Sequence, residues 1–122
     1  MGTMIKLPRA ALWACAIFLA VAFVLVGMSK LSGPSATRWN DRFVQWGYPA
    51  SARPVVGILE ILGGLGLLFT GSRRVAAAML IVLMIGAVLT HLLQAEFTRL
   101  LPPLILGGLA ALVYAAHRPA SG

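Results

Sequence analysis

Hydrophobic residues are concentrated in four long segments of the chain, and charged residues, glycines and prolines separate one segment from the next. The segments cover about residues 10–28, 54–69, 75–93 and 100–116. A helix needs roughly 20 apolar residues to cross a bilayer and no fewer than about 17, so the second and fourth segments need flanking residues to complete a crossing. The pattern predicts an all-α membrane protein with four transmembrane helices.

The lengths of the loops predict how these helices are arranged. The loops at residues 70–74 and 94–99 are short, which favours antiparallel neighbours and an up-down-up-down four-helix bundle. Residues 1–122 then form a single membrane domain with both termini on one side of the bilayer. The 10 basic residues divide equally between the two sides, so the positive-inside rule does not orient the bundle.

The first loop, residues 29–53, is longer and contains a pattern of its own. Trp39, Phe43 and Trp46 recur at i, i+4 and i+7, the period of a short amphipathic helix over about residues 36–46. Its aromatic face is expected to lie in the headgroup plane of the bilayer. Two interpretations stay open: a belt that only fixes the depth of the protein, or a lid over a polar site.

Composition and charge agree with a membrane location. Hydrophobic residues make up 60% of the chain and charged residues 11%, a balance that soluble domains do not show. The formal charge of +7 comes from basic residues that stand singly or in pairs between apolar segments. Such residues meet lipid headgroups, and no basic run with interleaved aromatic residues predicts nucleic-acid binding. The lipid bilayer is therefore the expected partner, and nucleic acid is not.

One acidic residue, Glu60, lies inside the second apolar segment. An ionisable group within a membrane span costs about 2.5–3.5 kcal/mol near the bilayer centre, so it indicates a functional site with a nearby partner. Lys30 closes the first segment and His91 closes the third, and the predicted topology places both at the same face as Glu60. Such a set can exchange protons, which makes Glu60 and His91 the candidate catalytic residues. A Lys30–Glu60 ion pair that only joins two helices is the alternative.

Small and aromatic residues around Glu60 predict where a ligand would bind. Gly57, Gly63 and Gly64 lie three or four positions from Glu60, so one face of the helix carries no side chains. Such a face either lets two helices approach closely or leaves a slot for a flat ligand. The candidate ligand-binding residues are Lys30, Gly57, Gly63, Gly64, Thr90, Trp39 and Trp46.

The sequence does not predict a metal site or a covalently bound cofactor. His91 and His117 are the only histidines, and they lie at opposite ends of the predicted bundle, so they supply too few ligands for zinc, copper or haem iron. Cys15 is the only cysteine, which excludes a dithiol within the chain.

Four short motifs follow one another along nearly the whole chain: Gly27-Met28-Ser29-Lys30-Leu31, Trp46-Gly47-Tyr48-Pro49, Gly57-Ile58-Leu59-Glu60-Ile61-Leu62-Gly63 and Thr90-His91. Their order and spacing resemble the DoxX-like family of small four-helix membrane proteins. The resemblance implies a shared polar site at Lys30, Glu60 and His91. Members of that family resemble small subunits of quinone-linked oxidoreductases, such as those that oxidise thiosulfate, and some distant relatives are assembly chaperones. Family roles that need a cysteine pair do not carry over.

Two functions are therefore expected. The first is a small subunit of a redox complex in a bacterial inner membrane, which binds a quinone or similar lipophilic ligand while a partner supplies the electrons. The second is a structural or assembly subunit of a larger membrane complex, with the polar cluster as a helix clamp. A carrier is disfavoured, since four short helices without internal repeats offer little material for alternating access. Small residues at Gly86, Gly107, Gly108 and Ala111 predict a homo-oligomer or a larger complex.

Overall fold

A computed structural model describes residues 6–116, and all regular structure in this range is helical. The helices are α1 (Arg9–Leu31), α2 (Gly33–Gln45), α3 (Ala52–Gly66), α4 (Arg73–Leu93) and α5 (Leu101–Ala116), with a 3₁₀ turn at Phe97–Arg99 before α5. The predicted all-α fold is confirmed.

Three helical segments of the described chain are long and apolar enough to cross a membrane: Arg9–Leu31, Arg73–Leu93 and Phe97–Ala116. Many large apolar side chains on these segments point outwards, as membrane-exposed helices require; Val75, Val82 and Leu93 are among them. The chain is therefore an integral membrane protein. The predicted span at residues 54–69 forms α3, whose 15 residues cover about 22 Å.

The first loop does contain a helix, α2, and it begins nearer to α1 than the aromatic spacing predicted. Ser32 alone separates α1 from α2, and Pro34 occupies the first turn, where its missing N–H costs nothing. Gly33 and Gly47 have φ angles of +75° and +87°, a conformation that glycine adopts without strain. The helix is thus bounded at each end by a residue that turns the chain sharply.

Helices α1 and α3 pack closely because glycines face one another at their contact. A Cβ atom on Gly27 would lie 2.6 Å from the carbonyl oxygen of Gly57, and one on Gly64 would lie 3.1 Å from the carbonyl oxygen of Ala20. Since residues 27 and 20 of α1 meet residues 57 and 64 of α3, the two helices run in opposite directions. The backbones approach as closely as the absence of side chains allows.

A single hydrophobic core joins α1, α3, α4 and α5. Helix α1 contacts α3 and α5, and α4 contacts the same two helices. The core consists of Ala16, Leu19, Phe23, Leu67, Ala76, Ala77, Leu80, Met84, Ala110 and Val113. At one end of this core, Arg73 donates from Nε to the Leu67 carbonyl oxygen at 2.7 Å, and its guanidinium lies 4.2 Å from the centre of the Trp13 ring.

Candidate functional site

Lys30 and Glu60 form a buried ion pair between α1 and α3. The Lys30 Nζ atom lies 2.7 Å from Glu60 Oε1, and the two residues are only 5% and 2% exposed. The sequence predicted Lys30 and His91 as candidate partners of Glu60, and in the structure Glu60 pairs with Lys30. The glycine contact of Gly27 with Gly57 lies one turn away on each helix, so the same close approach brings the two charged side chains together.

The α2 helix places aromatic side chains beside this pair. The Lys30 Nζ atom lies 4.2 Å from the centre of the Trp39 ring, a cation–π contact, and Trp39 Nε1 donates to Ser29 Oγ at 3.1 Å. Arg53 at the start of α3 donates to the main-chain carbonyl of Lys30. Lys30, on α1, therefore has partners on both α2 and α3.

His91 has a different partner from the one predicted. Its Nδ1 atom lies 2.9 Å from Glu96 Oε1, and no hydrogen bond joins it to Glu60 within the described chain. Glu96 also accepts from Trp46 Nε1 and Arg99 Nη1 at its Oε2 atom, each at 3.3 Å. The hydrogen bond from His91, with smaller contributions from Trp46 and Arg99, holds the pKa of the Glu96 carboxyl below its ordinary value.

A left-handed turn produces this arrangement. Ala95 has a φ of 56° and is the only non-glycine residue with a positive φ in residues 6–116. It folds the chain back so that the Glu96 N–H donates to the His91 carbonyl oxygen at 2.8 Å. The Glu96 carboxylate then lies beside the His91 ring. In a continuous helix the two side chains would point in different directions.

Thr90 is held by two hydrogen bonds. Its Oγ1 atom lies 2.8 Å from the Gly86 carbonyl oxygen and 2.5 Å from the Tyr48 hydroxyl. A carbonyl oxygen only accepts, so the Thr90 hydroxyl proton goes to Gly86 and the Tyr48 proton goes to Thr90. Tyr48, just beyond α2, is thereby fixed to α4.

A cavity of about 640 Å³ connects these groups. The sequence-predicted residues in its wall are Lys30, Glu60, Trp39, Trp46, Thr90 and His91. Sequence reasoning missed Arg42, Phe43, Tyr48 and Arg99 as lining residues, although Phe43 belongs to the aromatic pattern and Tyr48 to a quoted motif. Most of the remaining wall is apolar and comes from α4 and α5: Val82, Leu83, Met84, Pro102, Pro103 and Leu106.

The three predicted glycines do not line this cavity. Gly57 and Gly64 face α1, and Gly63 faces α4, where an added Cβ atom would lie 2.6 Å from Leu80 Cδ2. These positions agree with the packing interpretation of the bare helix face. The cavity lies instead among α2, α4, α5 and the Lys30–Glu60 pair.

Within residues 6–116 there is no group of three histidine, cysteine, aspartate or glutamate side chains placed to hold a metal ion. His117 lies outside this range.

Fold and site together define a class: a small helical membrane protein with an amphipathic cavity beside a buried Lys–Glu ion pair. Residues 7–113 match the model of the DoxX-like family, and the chain belongs to that family. The resemblance drawn from the sequence motifs is confirmed. No significant match was found among curated proteins or among solved structures.

Proposed function

We propose that this protein binds a quinone or a similar lipophilic ligand in the cavity and acts as the membrane subunit of a redox complex. The observation that carries the proposal is the cavity itself, whose volume of about 640 Å³ lies in the range of small-molecule sites. Its walls are mainly apolar, and a few polar groups converge beside the Lys30–Glu60 pair. An isoprenoid-type ligand needs this combination.

The aromatic side chains of α2 suit a flat ring. Phe43 lies 5.2 Å from Trp46 and 5.8 Å from Tyr48 between ring centres, so the three rings form a continuous wall. Offset contacts between aromatic rings contribute about 0.5–1.5 kcal/mol each beyond the burial of surface. This wall supports the lid interpretation of α2.

In this proposal α1, α3, α4 and α5 cross the membrane as an up-down-up-down bundle, residues 1–122 form one membrane domain, and α2 lies at the interface. Glu60 and His91 handle protons, Lys30, Thr90, Trp39 and Trp46 contact the ligand, and the packed glycines set the spacing of the helices. In this proposal a partner supplies the electrons. A bacterial inner membrane is the proposed location.

The binding proposal is tested by tryptophan fluorescence. Trp39 and Trp46 line the cavity, and Trp13 lies at the other end of the core, so Trp13→Phe removes the background while keeping a ring for Arg73. Decylubiquinone and decylubiquinol, added to protein in nanodiscs, should both quench the remaining fluorescence. Glu60→Gln should weaken this binding about tenfold or more, as the loss of a contact to a charged group implies.

Asp41→Asn is the matched control for that titration. Asp41 is the only acidic residue besides Glu60 and Glu96, it is exposed on α2, and it does not line the cavity. Its replacement should leave binding unchanged. Equal effects of the two substitutions, or an absence of saturable quenching, would reject the proposed function.

A structural or assembly role is the second candidate, and the 2.7 Å ion pair that ties α1 to α3 favours it. Association at the α4–α5 surface belongs to both candidates, since an added Cβ atom on Gly108 would meet no atom within 4 Å. We expect mass spectrometry of the gently solubilised protein to find an oligomer or larger complex with a copurified lipophilic small molecule. A stoichiometric protein partner without such a molecule would favour the assembly role.

A further inference from the structure

The hydrogen bonds around Glu96 determine which form of a ligand the cavity accepts. We propose that Glu96 fixes His91 as a hydrogen-bond acceptor in the cavity, so that the site prefers a ligand carrying a hydroxyl group, such as a hydroquinone, over its carbonyl form. This inference rests on the proposed function, and it names the chemical class of ligand at the same site. The central interaction is a hydrogen bond from the ligand hydroxyl to Nε2 of His91, and no covalent bond forms or breaks.

The first step is the position of the proton on the His91 ring. Trp46 and Arg99 can only donate, and both donate to Oε2 of Glu96. The lowered pKa of Glu96 keeps the group an ionised carboxylate, whose Oε1 atom also accepts. Nδ1 of His91, 2.9 Å from Oε1, must therefore carry a hydrogen. In the neutral ring Nε2 then has a free lone pair.

The second step is that neighbouring polar groups are acceptors as well. The Tyr48 proton is given to Thr90, so the Tyr48 oxygen can only accept from a ligand. Glu60 uses Oε1 for Lys30, and its Oε2 atom makes no hydrogen bond within the described chain. His91, Tyr48 and Glu60 all line the cavity. A ligand with hydroxyl donors satisfies these atoms, whereas a ligand with only carbonyl oxygens does not.

Three cationic side chains in the cavity wall already contact protein groups. Lys30 donates to Glu60, Arg99 donates to Glu96, and the Arg42 guanidinium lies 5.1 Å from the centre of the Trp39 ring. These side chains keep further N–H groups, so the proposed preference rests on the acceptors at His91, Tyr48 and Glu60 rather than on a lack of donors.

The substitution Glu96→Gln should reverse the preference. Trp46 and Arg99 still need an acceptor, so the oxygen of the introduced amide must face them and its NH₂ group must face His91. That group donates to Nδ1, which moves the ring hydrogen to Nε2. A carboxylate-to-amide change beside a histidine is known to stabilise the wrong tautomer in this way. The cavity then presents a donor where it had an acceptor.

The test compares affinities for decylubiquinol and decylubiquinone under anaerobic conditions, in nanodiscs and in the Trp13→Phe background. The protein should bind the reduced form about tenfold more tightly, the ratio expected for one hydrogen bond made or left unmade. Glu96→Gln should bring the ratio to one or below, and Asp41→Asn should not change it. His91→Ala, which removes this acceptor without altering Glu96, should reduce the preference to what Tyr48 and Glu60 supply while keeping affinity for the oxidised form.

NMR of the histidine ring nitrogens shows directly which nitrogen of His91 carries the hydrogen. If Glu96 only stabilised the fold, its replacement would not change that position. His91 should carry its hydrogen on Nδ1, and Glu96→Gln should transfer it to Nε2. A hydrogen on Nε2 in the unaltered protein, or equal affinities for the two ligand forms, would overturn this inference while leaving the proposed function standing. If neither form binds, the proposed function and the inference fail together.

Discussion

Replacing Lys30 with methionine should lower the free energy of unfolding by about 3–5 kcal/mol, because the Glu60 carboxylate is left buried without its partner. The charged atoms are 2.7 Å apart and both residues are almost completely buried, so little water reaches the carboxylate that remains. Glu60→Gln also leaves a buried charge, that of Lys30, without its counter-charge. It should cost less than Lys30→Met, since the amide oxygen still accepts from Lys30, which keeps its contact with Trp39. Unfolding can be followed by heat or by denaturing detergent.

The double variant Lys30→Met with Glu60→Gln distinguishes an ion pair that only holds α1 and α3 together from one that belongs to a ligand site. Removing both charges should restore most of the stability lost in Lys30→Met, because the unpaired charge is the main cost. We expect this stable protein to have lost ligand binding and any proton-coupled activity, for which a positioned acid or base contributes about 10²–10⁴ in rate. His91→Ala should likewise impair function more than stability. Recovery of full function in the double variant would show that the pair is only a clamp.

Gly27→Ala should destabilise the protein by about 1–3 kcal/mol, the usual cost of overpacking a close contact. The added Cβ atom would lie 2.6 Å from the Gly57 carbonyl oxygen and 2.7 Å from Ile61 Cγ1. A backbone oxygen cannot rotate away, so α1 and α3 must separate. That separation also lengthens the Lys30–Glu60 contact, and ligand affinity should fall with stability.

Gly86→Ala is the control for this prediction. It makes the same chemical change inside a helix, but an added Cβ atom there meets nothing within 4 Å. It should therefore be close to neutral in thermal unfolding. Similar losses of stability in Gly27→Ala and Gly86→Ala would mean that α1 and α3 do not pack as closely as the Gly27–Gly57 contact requires.

The helices and the ion pair could be predicted because both follow from one-dimensional patterns. Long apolar runs predict helices, and a lone carboxylate in such a run requires a cation, which Lys30 at the end of the first run supplies. The start of α2 was predicted less well, since the aromatic spacing marks only the face that packs. Its first turn depends on Gly33 and Pro34, which precede the aromatic residues.

The His91–Glu96 contact could not be predicted by the same reasoning. Residues five apart do not face each other on a helix, where i and i+4 are neighbours. The contact exists because Ala95 adopts a left-handed conformation that alanine rarely takes, and no apolar periodicity encodes that turn. Glu96 was therefore not among the candidate site residues predicted from the sequence.

The hydrophobic core has a consequence for what the protein can do in a membrane. Phe23, Leu80 and Val113 are completely buried between the cavity and the Arg73–Trp13 end of the bundle. This apolar layer separates the cavity from the Arg73–Trp13 contact, so in the proposed function we expect protons to enter and leave the cavity on its own side of the layer. Under that proposal the cavity exchanges protons with one compartment, and any charge moved across the bilayer would have to be moved by the proposed partner.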